Sequence, residues 1–265
     1  MNFDMNKYYY LTGMPRSGST LLGSLLCQND DVFVSSTSPL NRVMHDLYSS
    51  LQENALRGND WDIDDMNNRV FKYMFACWYE NTDKKYIFDK SRGWGFNIQA
   101  VEAFVNNDPK VILTYRSIPE IITSFITLIE KDPKNWVDKK LYRDNIQINT
   151  ENRAKYIWSS IKETAYDSTK KAIEEFPHIV HIVRYDDLIN NTNETMKSIW
   201  DYLQIDMPVH DFENVQNYLK DPDENWGIDG LHEIRHKISK TSADPRVVLG
   251  DDLFEHYSQF NLLEE

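Results

Sequence analysis

The chain has 265 residues, 41% of them hydrophobic and 13% aromatic; that is enough apolar material for a sizeable core and excludes a disordered chain. Its 29 lysines and arginines against 42 acidic residues leave a net charge of −13, which excludes a generally basic nucleic-acid binder and repels anionic membrane. Two cysteines without CxxC spacing exclude a disulfide framework, no apolar run is long enough for a membrane span, and no basic-then-apolar leader opens the chain, so the reading is a cytoplasmic protein.

In chain order, short apolar or β-branched runs bounded by turn residues predict five strands, over 8–12, 32–35, 86–88, 110–115 and 179–184. Apolar residues at helical spacing predict helices over 19–27, 40–56, 66–79, 118–130, 153–176 and 191–203. The acidic stretch Asn59–Asp65 reads as a helix N-terminus, and the charge-rich run Lys131–Arg143 as a solvated loop. Beyond residue 205 periodicity weakens until a final apolar-aromatic segment that suits a last helix. Strands alternating with helices predict an α/β fold: three layers, with a central, mainly parallel sheet of about five strands flanked by helices. No repeat or linker divides the chain, so residues 1–265 read as a single domain.

The sharpest local feature is Thr12-Gly-Met-Pro-Arg-Ser-Gly-Ser-Thr20, an apolar strand running through a Gly/Pro/Ser loop into a helix. Unpaired N–H groups and the helix dipole make such a junction an anion site. Gly13 and Gly18 have the spacing of the NTPase phosphate loop, but Ser19 stands where that loop has lysine, and the cation is Arg16. One apical cation followed by two hydroxyls, Ser19 and Thr20, suits a compact 5′-phosphate-type group better than a metal-bound triphosphate. Arg116, at the end of the fourth strand, and Ser124, eight residues on, form a second candidate anion site.

Together these elements resemble the sulfotransferase superfamily, whose donor is 3′-phosphoadenosine 5′-phosphosulfate (PAPS) and whose product is adenosine 3′,5′-bisphosphate. Pro15, Arg16, Ser17, Gly18, Ser19 and Thr20 resemble the family's 5′-phosphosulfate loop, closest to the protein-tyrosine and bacterial-type branch, where arginine stands in the loop. Arg116 and Ser124 are similar to its 3′-phosphate pair. Arg-Tyr185-Asp-Asp-Leu188 is similar to an element whose tyrosine contacts adenine. Lys90 falls where relatives place a lysine that stabilises the transferring group. Ser239 and Lys240 resemble a late loop that closes over the donor. The resemblance implies a P-loop fold, a PAPS-dependent transferase needing no metal, and catalytic roles for Arg16 and Lys90.

The family's general base has no counterpart. The stretch after the second strand, Ser35–Pro39, holds no carboxylate, and Arg92 stands where other relatives place histidine. His45, Asp46 and Asp89 are the candidates. A competing signal is His232-Glu-Ile-Arg-His236, which matches the zinc-binding H-E-x-x-H pattern; its turn-rich approach and the lysines that follow argue against a metal. The alternatives to a sulfotransferase are a P-loop kinase or NTPase, an inactive nucleotide-binding relative, and a zinc hydrolase. The acceptor is open among a small molecule, carbohydrate, lipid or peptide. No nucleic-acid partner is expected, and the sequence does not specify an oligomeric state.

Overall fold

Five strands, β1 (Tyr8–Gly13), β2 (Val32–Thr37), β3 (Tyr86–Lys90), β4 (Val111–Tyr115) and β5 (Val180–Arg184), form one sheet in the order β2-β3-β1-β4-β5, with every neighbouring pair parallel. The structure is a computed structural model that describes residues 4–56, 62–219, 221, 223, 227–239 and 243–264. The connections carry α1 (Ser19–Leu26), α2 (Leu40–Leu56), α3 (Ile63–Trp78), α4 (Trp94–Phe104), α5 (Ile118–Lys131), α6 (Trp136–Arg143), α7 (Thr150–Ile161), α8 (Asp167–Glu175), α9 (Tyr185–Asn190) and α10 (Thr192–Leu203); α11 (Pro245–Leu249) and α12 (Asp251–Ser258) follow near the C-terminus. The fold class is as expected.

Alternation along the strands sorts the core into two faces. Tyr8, Tyr10, Ile87, Val111 and Leu113 pack with Met44 of α2, Phe71 and Phe75 of α3, Trp94 and Ile98 of α4 and Ala172 of α8. Their neighbours Tyr9, Leu11, Phe88, Ile112 and Val183 pack with Leu22 and Leu25 of α1 and Met196, Ile199 and Trp200 of α10. An all-parallel sheet needs cover on both faces, and each fully buried side chain of this size contributes about 1.5–3 kcal/mol. A third cluster joins α5, α6 and α7 to Tyr257 of α12.

α4, α9 and α11 were not expected, and two further segments depart from the sequence expectations. The helix expected over 153–176 is interrupted by a π turn at Lys162–Tyr166. Ala154, Ile157 and Ile161 before the turn face the third cluster, whereas Ala172 and Phe176 after it face the sheet. The wide turn changes the helical phase so that one rod serves two cores. The run Lys131–Arg143, expected as a loop, contains α6, where Val137 and Leu141 are buried at i,i+4. Asn135 caps it, accepting the Asp138 N–H at 2.8 Å. The acidic stretch does start a helix: Asp62 accepts the Asp65 N–H at 3.0 Å. Its first residues, Asn59–Trp61, lie outside the described residues.

At Gly13 the chain leaves β1 with φ 130°, and a Cβ there would meet the Thr114 carbonyl oxygen of β4. Gly13→Ala is therefore expected to cost more than about 2 kcal/mol from strain and collision together, read as a lowered midpoint in thermal unfolding.

Candidate functional site

The parallel sheet gathers the ends of all five strands on one edge, and strand order reverses at central β1, where open α/β sheets bind ligands. There the loop after β1 bends around one cavity. Gly18 caps α1 with φ 91°, and a Cβ there would come 2.9 Å from Tyr185 Cδ2. Arg16 is also left-handed, with φ 61°, a conformation that costs an L-residue about 1–2 kcal/mol. Three ties hold it there: its Nε donates to Ser124 Oγ at 3.1 Å, its Nη1 donates to the Leu231 carbonyl, and its own carbonyl accepts from Arg116 Nη1 at 3.1 Å.

Arg116 is 5% exposed and lies 4.1 Å from the centre of the Tyr185 ring. Its Nε and Nη2 are buried with no hydrogen-bond partner among the described residues, and Glu120 stands 3.7 Å from Nε, beyond hydrogen-bond range. Burial, with the repulsion of Arg116 added, pulls the Arg16 guanidinium down to about 10. Buried Arg116 and half-buried Arg16 thus face one cavity as like charges.

At the end of β3, Lys90 Nζ lies 2.7 Å from Asp221 Oδ2, with both side chains buried. The Thr37 N–H donates to Asp221 Oδ1 at 2.9 Å. Burial lowers the Lys90 pKa against the attraction of Asp221. Burial raises that of Asp221, but Lys90 and the Thr37 N–H outweigh it and hold the carboxyl below its usual range.

The cavity is lined by Pro15, Arg16, Gly18, Ser19, Thr20, Lys90, Arg92, Arg116, Tyr185, and by residues 231–235 and 237–239, so Ser239 is on its wall. Lys240 lies outside the described residues. Two of the expected residues are placed otherwise. The Ser17 hydroxyl turns inward to the Met14 carbonyl at 2.5 Å and Thr114 Oγ1 at 2.7 Å, so it braces the loop from beneath. Ser124 reaches the cavity only through Arg16.

None of the three base candidates lines the cavity. His45 and Asp46 are exposed on α2, where Asp46 pairs with Arg42 at 3.3 Å. Asp89 points into the core, 1% exposed, accepting from Tyr79 Oη at 2.5 Å and Trp94 Nε1 at 2.8 Å. Burial raises its pKa. The segment containing His232 and His236 is irregular rather than helical, so the two rings do not share a helix face, and the described residues contain no metal-binding cluster of His, Cys, Asp or Glu. Sequence reasoning missed Asp221 and the cavity position of His232. Nothing in the spacing marks Asp221, and the H-E-x-x-H pattern marks His232 only as a metal ligand, not as a residue of this cavity.

A model of the "Sulfotransferase family" matches residues 10–209. A search of curated proteins finds no significant match. Among solved structures, a sulfotransferase domain from the curacin biosynthetic pathway is 16% identical with a TM-score of 0.49, covering 97% of this chain and 92% of that one. A sulfotransferase domain from the Synechococcus PCC 7002 olefin synthase is also 16% identical with a TM-score of 0.49, covering 93% and 94%. A sulfotransferase from Alicyclobacillus acidocaldarius is 10% identical with a TM-score of 0.46, covering 82% and 87%.

The two aspartates separate structural from exposed roles. Asp89→Ala strands the Tyr79 and Trp94 donors and is expected to cost about 1–3 kcal/mol. Asp46→Ala, on an exposed helix face, should stay within about 0.5 kcal/mol. Chemical denaturation of both variants checks the contrast.

Proposed function

Because this chain belongs to the sulfotransferase family, we propose that it moves a sulfuryl group from PAPS to the hydroxyl or amine of an acceptor. The observation that carries the choice of donor is the pair of guanidiniums, half-buried Arg16 and buried Arg116. A buried charge is costly unless an opposite charge meets it. The Nε and Nη2 of Arg116, which no hydrogen bond satisfies among the described residues, therefore fit one anionic group, and Arg16 beside it at the loop apex fits a second. PAPS has that layout, and its 3′-phosphate distinguishes it from ATP.

In this reading the loop N–H groups of residues 16–20 and Arg16 hold the 5′-phosphosulfate. Arg116 holds the 3′-phosphate, with Ser124 steadying Arg16 beside it. Tyr185 offers its ring to the adenine, and Ser239 closes over the donor. When bound, the donor supplies a sulfuryl group on a phosphate leaving group. Lys90 and Arg16 are the fixed cations for the charge that develops there. A kinase reading is disfavoured by Ser19, which stands where a phosphate-loop lysine would be needed. Among the described residues no helix is long and apolar enough to cross a membrane.

Adenosine 3′,5′-bisphosphate should bind in calorimetry with EDTA present, more tightly than ADP. Arg116→Ala should weaken that binding about 10–100-fold, as expected for a lost charge-assisted contact. A preference for ADP that needs Mg²⁺ would overturn the donor assignment. Lys90→Met, made together with Asp221→Asn so that no buried carboxylate loses its cation, should slow transfer about 10²–10³-fold. Its affinity for the bisphosphate should change little.

A further inference from the structure

The transferring hydroxyl must lose a proton, and the expected bases are elsewhere. Among the described residues, the histidine and carboxylate side chains lining the cavity are His232 and Glu233. Glu233 is exposed, whereas His232 is 8% exposed and tied at three points. Its Nδ1 lies 2.9 Å from Asp223 Oδ1, its backbone N–H donates to the same oxygen at 3.0 Å, and its carbonyl accepts from Asn217 Nδ2 at 3.0 Å.

Building on the transfer reading above, we infer that His232 is the general base for the acceptor hydroxyl and that Asp223 is its positioning residue. A carboxylate at Nδ1 fixes the proton on that nitrogen and places the lone pair on Nε2. Nε2 takes the hydroxyl proton as the hydroxyl oxygen bonds to sulfur. The bond from sulfur to the donor's phosphate oxygen breaks, its electron pair stays on that oxygen, and the imidazolium passes its proton to solvent. Burial lowers the His232 pKa, opposed by Asp223 and Asp221 and assisted by Lys90. Arg92, Glu233 and Arg235 line the same cavity. The ring is therefore neutral and able to accept a proton at pH 7. The chemistry Lys90 and His232 divide between them is complementary: a fixed charge for the departing side, a proton acceptor for the attacking side.

The test uses the full chain and two kinds of readout. NMR of the histidine ring nitrogens should show a neutral His232 with its proton on Nδ1 and a midpoint below 6.5. Asp223→Asn should move the proton toward Nε2. With PAPS and water as the acceptor, His232→Gln should slow release of the bisphosphate at least about 10²-fold. Asp223→Asn should cut the rate less and shift the acid limb of the pH profile. Calorimetry should find bisphosphate affinity within about threefold of wild type in both variants. A proton on Nε2 in the wild type, an undiminished rate in His232→Gln, or a loss that follows Glu233→Gln instead would overturn the inference. The tautomer is read whether or not turnover with water is measurable. Failure of the wild type to bind the bisphosphate would strike the donor reading, and the ring measurement would still decide the base.

Discussion

The hydrogen bond from Arg116 Nη1 to the Arg16 carbonyl, which holds two cationic residues side by side, is the constraint around which the cavity is arranged. Neither guanidinium has left the cavity to escape the other. Arg16 is pinned at the loop apex by Ser124 and Leu231, and Arg116 is clamped between the Arg16 carbonyl and the Tyr185 ring. Holding two like charges at low exposure costs free energy in the absence of an anion. The surrounding fold supplies it through the two-faced sheet core, and Ser17 and Gly13 transmit that rigidity by locking the loop onto β4.

The cavity's far wall follows a different logic. Lys90 is neutralised within the chain by Asp221, and His232 is oriented by Asp223. Both aspartates follow α10 in the chain, as does Leu231, whose carbonyl reaches Arg16. The chain after α10 thus reaches two of the cations near the strand ends, Lys90 through Asp221 and Arg16 through Leu231. Regular elements fix where the cations stand, and the chain after α10 decides which of them are paired.

How far this was readable from the residues depends on which physical signal each part carries. The central strands β1 and β4 announced themselves because both of their faces are buried and their runs are largely apolar. The loop from Gly13 to Thr20 was legible because its chemistry demands glycine and hydroxyl at fixed spacing. The helix α6 was missed because Asp138, Lys139 and Lys140 dominate its composition, although Val137 and Leu141 alone are enough to anchor it. α4 begins inside Ser91-Arg-Gly-Trp-Gly95, a turn-like sequence that left it without an assignment. Asp89 looked available on an alternating strand, yet alternation carries it to the core side while Lys90 faces the cavity. His232 and Asp223 stand nine residues apart with no sequence period to link them, so only three-dimensional contact identifies them as partners. The H-E-x-x-H pattern pointed to the right histidine for the wrong reason, since its meaning depends on a helix that is not there.

The two cations also sit inside a chain whose total charge is −13. A polyanion approaching from bulk solvent meets the negative surface first and feels Arg16 and Arg116 only within a Debye length, about 8 Å at physiological ionic strength. Surface repulsion is screened by added salt, while contacts to buried groups are screened far less. Moderate ionic strength therefore eases the approach of such a ligand even as it slightly weakens the final contact, the reverse of the steering found where surface and site share one sign. Capture here depends on what happens in the last few ångströms.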